Sequence, residues 1–126
     1  MYSISPELLG REYKFGTHDC FEAVRNFYKL ELAIDIPPRG AFEEFWWKKG
    51  INYFTEEKLN EWGFQKVEVP KQFDVLLFSI SSKVPNHCGV YLGENTFYHH
   101  ARNRLSCRDS LTKLWATNIT GTYTYA

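Results

Sequence analysis

HCGVYLGENTFYHHA, residues 87–101, is the stretch that decides the fold, because it predicts a β-hairpin carrying histidines on both strands. Residues 87–92 and 96–101 are rich in strand-forming side chains, and Gly93-Glu94-Asn95 between them is a turn signal. A three-residue loop pairs Leu92 with Thr96, and further along it pairs Gly89 with His99. His87 and His99 then share one face of the sheet on a diagonal of about 7–8 Å.

The length of this loop decides which histidine meets His87. A two-residue loop would reverse the parity and place His100, instead of His99, on the face of His87. Glycine and asparagine in the loop suit the left-handed residue that three-residue hairpins need. We therefore favour His99, and Cys88, which alternates to the opposite face, is interpreted as core packing.

Cys20 opens a predicted helix over residues 20–30, in which apolar side chains recur at helical spacing. Asp19 is a good N-cap, and Glu22 completes a pattern similar to a capping box. A cysteine at the first helical position meets free backbone N–H groups and the positive end of the helix dipole, which favour the thiolate. Cys20 is therefore a candidate nucleophile. The alternative is a buried structural cysteine.

A cysteine nucleophile needs a base, and the base needs an orienting partner. The hairpin selects His87 and His99 from the four histidines, although His87 alone would also fit a half-buried structural role. A zinc site of His87, His99 and a cysteine is the other alternative, but no short-spaced ligand pair supports it. His18 is next to Cys20 but lies in a loop, which argues against contact with a substrate. We expect no metal and no cofactor.

The rest of the chain predicts helices first and strands afterwards. The predicted helices cover residues 41–49 and 56–62, and the predicted strands include the alternating residues 67–69, a central strand at 75–80 and a last strand near 122–125. Residues 111–115 remain unassigned. This order indicates an α+β fold with N-terminal helices packed on a C-terminal antiparallel sheet.

Length and composition exclude several classes of protein. The 126 residues suit a single domain, and 15 basic residues balance 15 acidic ones, which argues against nucleic-acid binding. Residues 1–10 show no signal-peptide pattern, and no stretch approaches the roughly 20 apolar residues of a membrane span. Three cysteines are an odd number, which argues against a disulfide framework.

Two segments resemble motifs of the NlpC/P60 family of papain-like cell-wall peptidases. YKFGTHDC at residues 13–20 is similar to the block around that family's cysteine, and NHCGVYLG at 86–93 with FYH at 97–99 is similar to its histidine block. The phage-tail group of the family is more similar still. That likeness extends to residues 24–28, 46–50, 63–64, 74–77 and 99–106.

The resemblance implies a papain-like fold with Cys20 as nucleophile, His87 as base and His99 orienting the base. Tyr13 matches a family tyrosine whose hydroxyl can hydrogen-bond in the site. The implied reaction is hydrolysis of a stem-peptide amide in bacterial peptidoglycan, between D-glutamate and diaminopimelate. The implied partners are other tail-tip proteins. The implied location is the virion tail tip, made in the host cytoplasm and acting on the periplasmic cell wall.

Departures from the family pattern leave other functions open. Phe21-Glu22-Ala23 replaces Ser-Gly-Phe and could narrow the cleft, and Phe73 stands where glycine is usual. A non-catalytic tail-tip assembly protein on the same fold is one alternative, and another papain-like acyl-transfer enzyme is a second. The aromatic residues of 42–47 are interpreted as a lid of core packing, with a cleft wall or docking patch as the alternative.

Overall fold

The computed structural model describes residues 1–40 and 42–126. Helix α1 spans Cys20–Leu32 and begins where the Asp19 side chain accepts a hydrogen bond from the Glu22 N–H. It ends at Ala33, which adopts the left-handed conformation common at helix C-termini. Its apolar stripe is buried, as the helical spacing predicts, and the helix continues two residues beyond the predicted end.

The remaining elements are short, and strands dominate the second half of the chain. The described helices after α1 are α2 (Glu56–Glu61) and α3 (Lys113–Ala116), with 3-10 turns at Pro6–Leu8 and Trp46–Lys49. The strands are β1 (Phe64–Lys66), β2 (Val75–Phe78), β3 (His87–Gly93), β4 (Thr96–His99), β5 (Cys107–Ser110) and β6 (Ile119–Tyr125).

The strands form an antiparallel sheet in the order β1-β6-β2-β3-β4-β5, which confirms the predicted α+β architecture. Helix α1 packs on β3 and β4, and its stripe joins inward residues such as Val90 and Tyr98 in the main core. A smaller cluster of Leu76, Phe78 and Phe97 lies on the other face, covered by Trp115 of α3. The sheet thus holds the start of α1 near the start of β3.

Several predicted bounds are wrong. The predicted helix over 41–49 is a 3-10 turn at Trp46–Lys49, and Ala41 lies outside the described residues. Phe45 and Gly50 flank this turn in the left-handed conformation, which interrupts the α-helical path. The strand expected at 67–69 instead occupies Phe64–Lys66, where it pairs with β6 and leaves Val69 79% exposed. Strand β5 and helix α3 were not foreseen.

The hairpin has the predicted register at its histidines but a different loop. Gly89 pairs with His99, as expected, whereas Thr96 pairs with Gly93 and not with Leu92. The loop is the two residues 94–95, both with positive φ, which is the signature of the type I′ turn. The register shifts by one between residues 91 and 93, which is a β-bulge. The short loop alone would have placed His87 and His99 on opposite faces, and the bulge returns them to the same face.

Candidate active site

The start of α1 is fixed by a buried ion pair. Asp19 accepts hydrogen bonds from the backbone N–H groups of Gly16 and Glu22, and its carboxylate lies 2.7 Å from Nη2 of Arg39. Both charged side chains are more than nine-tenths buried. Asp19 therefore orients the first turn of the helix, and Arg39 compensates its charge next to the sulfur of Cys20.

Two histidines and one carboxylate form a hydrogen-bonded chain across three strands. His87 Nε2 lies 2.9 Å from His99 Nδ1, and His99 Nε2 lies 3.2 Å from Asp109 Oδ2. The register explains the second contact, because Asp109 of β5 pairs with Phe97, two residues before His99 on the same face. Gly89, opposite His99, permits this close packing, since a Cβ there would lie 2.9 Å from Phe97 Cδ2 and from the Tyr98 carbonyl oxygen and 3.1 Å from His99 Cβ.

Two residues of β3, Cys88 and His87, act on the pKa of Cys20. The pKa of the Cys20 thiol is lowered to about 5, chiefly because the Cys88 thiol and then His87 hydrogen-bond to it, while burial acts in the opposite direction. Burial and the neighbouring Cys20 raise the pKa of Cys88 well above its usual value, so Cys88 stays protonated and donates. The arrangement favours a Cys20 thiolate at neutral pH.

The charge state of the histidines follows from their burial. Burial and nearby Arg104 lower the pKa of His99 to about 3, so His99 is neutral and its contact with Asp109 is a hydrogen bond rather than an ion pair. Burial also lowers the pKa of His87, although the hydrogen bond to Cys20 partly offsets that effect. The Nε2–H of His99 donates a hydrogen bond to Asp109. Nδ1 of His99 therefore carries no proton and can accept a hydrogen bond from the Nε2–H of His87.

A cleft of about 250 Å³ opens over the sulfur and His87. Its walls include the rings or long side chains of Tyr13, Trp46, Trp47, His100, Arg102 and Trp115. The ring of Trp115 lies 4.9 Å from that of His99 and 5.5 Å from that of His87, and so covers the imidazole pair. Burial raises the pKa of the Tyr13 phenol, which keeps it a hydrogen-bond donor in this cleft.

The structure brings together all four residues selected from the sequence. Cys20, His87 and Tyr13 line the same cleft, and His99 reaches it through His87. His100 also lines the cleft, with its ring edge-on to that of Tyr13 at 5.4 Å. Trp46 fits both the core-packing and the cleft-wall interpretation of the aromatic segment, since it is 3% exposed and also lines the cleft. Trp47 lines the cleft as well. His18 bridges to the backbone of residue 14 and is absent from the described cleft lining.

Sequence reasoning missed four residues of this site. Asp109 lies on a strand that was not foreseen, and Trp115 lies in a segment left unassigned. Cys88 was assigned to core packing, which its 1% exposure confirms, but its contact with Cys20 was not anticipated. Arg39 follows two prolines in a linker, and its ion pair with the buried Asp19 is evident only in the structure.

Comparisons with known proteins place the chain in a family. The sequence pattern of the NlpC/P60 family matches residues 10–124. The chain belongs to the NlpC/P60 family. Among the described residues, no helix has both the length and the apolar character needed to cross a membrane.

One similar protein is tail tip assembly protein K of Escherichia phage lambda, 34% identical over 112 residues. That match covers 87% of this chain and 55% of the lambda protein, so the chain spans about half the length of this relative. Two solved structures share the fold. An NLP/P60-family protein of Staphylococcus aureus aligns with a TM-score of 0.64 at 18% identity, over 94% of this chain and 38% of that one. The NlpC/p60 domain of the peptidoglycan hydrolase SagA aligns with a TM-score of 0.61 at 15% identity, over 94% and 90%.

Proposed function

We propose that this NlpC/P60 protein is a cysteine peptidase that hydrolyses a peptide-stem amide of bacterial peptidoglycan as a component of a phage tail tip. The observation that carries the proposal is that Cys20, at the start of α1, and His87 line the same cleft, where His87 Nε2 lies 2.9 Å from His99 Nδ1. Residues 1–126 would act as one peptidase domain.

In the first half of the reaction, the Cys20 thiolate attacks the amide carbonyl carbon. A C–S bond forms, and the oxyanion accepts hydrogen bonds from the Cys20 backbone N–H, which has no partner within its helix, and from the Tyr13 hydroxyl. The C–N bond then breaks, and His87 donates its proton to the leaving amine nitrogen. The product is a thioester on Cys20 and a free amine.

In the second half, His87 takes a proton from a water molecule that attacks the thioester. The C–S bond breaks, the carboxylic acid leaves, and the thiolate and the protonated His87 are restored. His99 accepts the Nε2–H of His87 throughout, and Asp109 holds the proton of His99 on Nε2. The chain of hydrogen bonds therefore fixes which nitrogen of His87 faces the sulfur.

Family and relatives support the choice of substrate. The SagA domain with the same fold belongs to a peptidoglycan hydrolase, and the lambda relative is a tail tip protein. The bond we propose joins D-glutamate to diaminopimelate, and the reaction takes place in the periplasm during infection. The Phe21 side chain is 3% exposed and packs on Trp62, away from the cleft, so this departure from the family pattern does not narrow it.

Digestion of purified peptidoglycan tests the proposal. The wild-type protein is expected to release fragments whose masses identify a cleaved stem-peptide amide, and Cys20→Ala is expected to release none while keeping the circular dichroism spectrum of the wild type. A wild-type protein that releases no fragments, or a Cys20→Ala variant that releases as many, would refute the assignment.

A second candidate function is tail-tip assembly without catalysis, favoured by the name of the lambda relative. In that case Cys20→Ala phage particles would assemble and infect as wild-type particles do. Normal assembly with blocked infection would instead support the peptidase.

A further inference from the structure

We propose that His99, Cys107 and Asp109 form a zinc-binding site distinct from Cys20. The sheet register places these side chains together, because His99 pairs directly with Cys107 and Asp109 follows two residues later on the same face. One ligand atom of each residue lies within 4.8 Å of the other two, and His99 Nε2 is already 3.2 Å from Asp109 Oδ2. This set does not include His87, and so it differs from the zinc site of His87, His99 and a cysteine that the sequence left as an alternative.

The ligand types suit zinc. An imidazole nitrogen, a thiolate sulfur and a carboxylate oxygen are its usual protein ligands, and three of them leave one tetrahedral position for water. Zinc–ligand lengths of about 2.0–2.3 Å imply ligand atoms roughly 3.3–3.8 Å apart, so the group must close by about 1 Å. Cys107 and Asp109 are half-buried, and rotation of their side chains supplies that movement.

One neighbouring cation must move to admit the metal. Arg104 Nη2 lies 3.6 Å from the Asp109 carboxylate, but the Arg104 side chain is 52% exposed and can turn into solvent. The positive charge of zinc then neutralises the Asp109 carboxylate in place of the Arg104 guanidinium. The Cys107 thiol proton is released to solvent when zinc binds.

Zinc in this site would oppose the proposed reaction. The metal takes the lone pair of His99 Nε2, so the proton of His99 must sit on Nδ1, which then donates to His87 Nε2. His87 Nε2 becomes an acceptor and can no longer carry a proton without losing this bond. The cationic form of His87 that protonates the leaving amine is thereby disfavoured. This inhibition, unlike the binding itself, rests on the proposed function.

Metal titration of Cys20→Ala tests the site without any activity measurement. We expect this variant of residues 1–126 to bind one equivalent of Co²⁺ with a thiolate-to-cobalt charge-transfer band, and zinc to displace the cobalt. Adding Cys107→Ala should remove the band and weaken binding more than about 100-fold, since even an outer-shell partner contributes about 10- to 100-fold. Adding Cys88→Ala, the matched control, should change neither. Absence of binding, or a band that survives Cys107→Ala, would overturn the site.

Peptidoglycan digestion with and without zinc tests the inhibition. Cys107→Ala should match the wild type in a chelating buffer and need more than about 100-fold more zinc for half inhibition. Equal inhibition of the wild type and Cys107→Ala by zinc would show that the inhibitory metal binds Cys20 and His87. That result would refute inhibition through the proposed zinc site. A wild type that is inactive in chelating buffer would count against the proposed function, while the cobalt titration still decides the metal site.

Discussion

The thiol of Cys88 lowers the pKa of Cys20, so a residue of the buried core acts on the candidate nucleophile. Cys88 belongs to β3, next to His87, and its side chain lies on the α1 side of the sheet among the main-core residues. The two neighbours on one strand thus reach Cys20 together. A negative sulfur buried at 5% exposure requires donors of this kind.

Replacing Cys88 by alanine should raise the pKa of Cys20. A hydrogen bond to a charged group is worth about 1.5–3 kcal/mol, which corresponds to an upward shift of roughly 1–2 pH units. The measurement is the rate of Cys20 alkylation by iodoacetamide as a function of pH. Cys88→Ser keeps a donor of similar size and should retain most of the wild-type behaviour. Equal profiles for the alanine variant and the wild type would show that Cys88 only fills space.

His99→Ala should reduce kcat far more than His100→Ala. His99 orients His87, and loss of acid–base catalysis costs about 10²- to 10⁴-fold, whereas His100 packs edge-on to Tyr13 in the cleft lining and should cost less than about tenfold. Initial rates on a soluble stem peptide in chelating buffer measure both variants. The reverse order would show that the histidine next to the cleft, and not the one bonded to His87, is the functional partner.

Asp109→Ala should lower kcat by about 10- to 100-fold, the equivalent of a hydrogen bond worth about 1.5–3 kcal/mol. Asp109→Asn keeps an acceptor for the Nε2–H of His99 and should lose less. Both variants are compared by kcat and KM in the same peptide assay, and KM should stay constant because Asp109 lies outside the cleft lining that the structure describes. An effect on KM alone would contradict a positioning role.

Arg39→Met should destabilise the protein by about 3–5 kcal/mol, because it leaves the Asp19 carboxylate buried without its ion-pair partner. Urea unfolding followed by tryptophan fluorescence gives the free energy. The double variant Asp19→Asn with Arg39→Met removes both charges and should recover part of the loss. A single variant within about 1 kcal/mol of the wild type would mean that the pair contributes little to stability.

The start of α1 and the register of the β3–β4 hairpin could be predicted because each depends on neighbouring residues. Asp19 and Glu22 mark the helix start locally. The pairing of Gly89 with His99 was right although the loop was wrong, because the predicted three-residue loop and the observed two-residue turn with a bulge give the same parity. A bulge is not visible in the alternation of side chains.

The contacts that cross between distant segments could not be predicted in this way. Asp109 meets His99 only because β5 adds to the sheet, and its short polar sequence lacks the apolar alternation of a strand. Arg39 meets Asp19 across twenty residues of chain. These contacts depend on how the helices and strands pack together, which the pattern of neighbouring residues in the sequence does not reveal.

The state of the Cys20 sulfur is the central claim, and peptide mapping after alkylation of the wild-type protein at a series of pH values tests it most directly. Cys88 and Cys107, whose thiol pKa values burial raises, serve as internal controls. We predict that Cys20 is modified fastest and that its rate is half-maximal near pH 5. A rate that rises only above pH 8, in step with an ordinary thiol, would contradict the account.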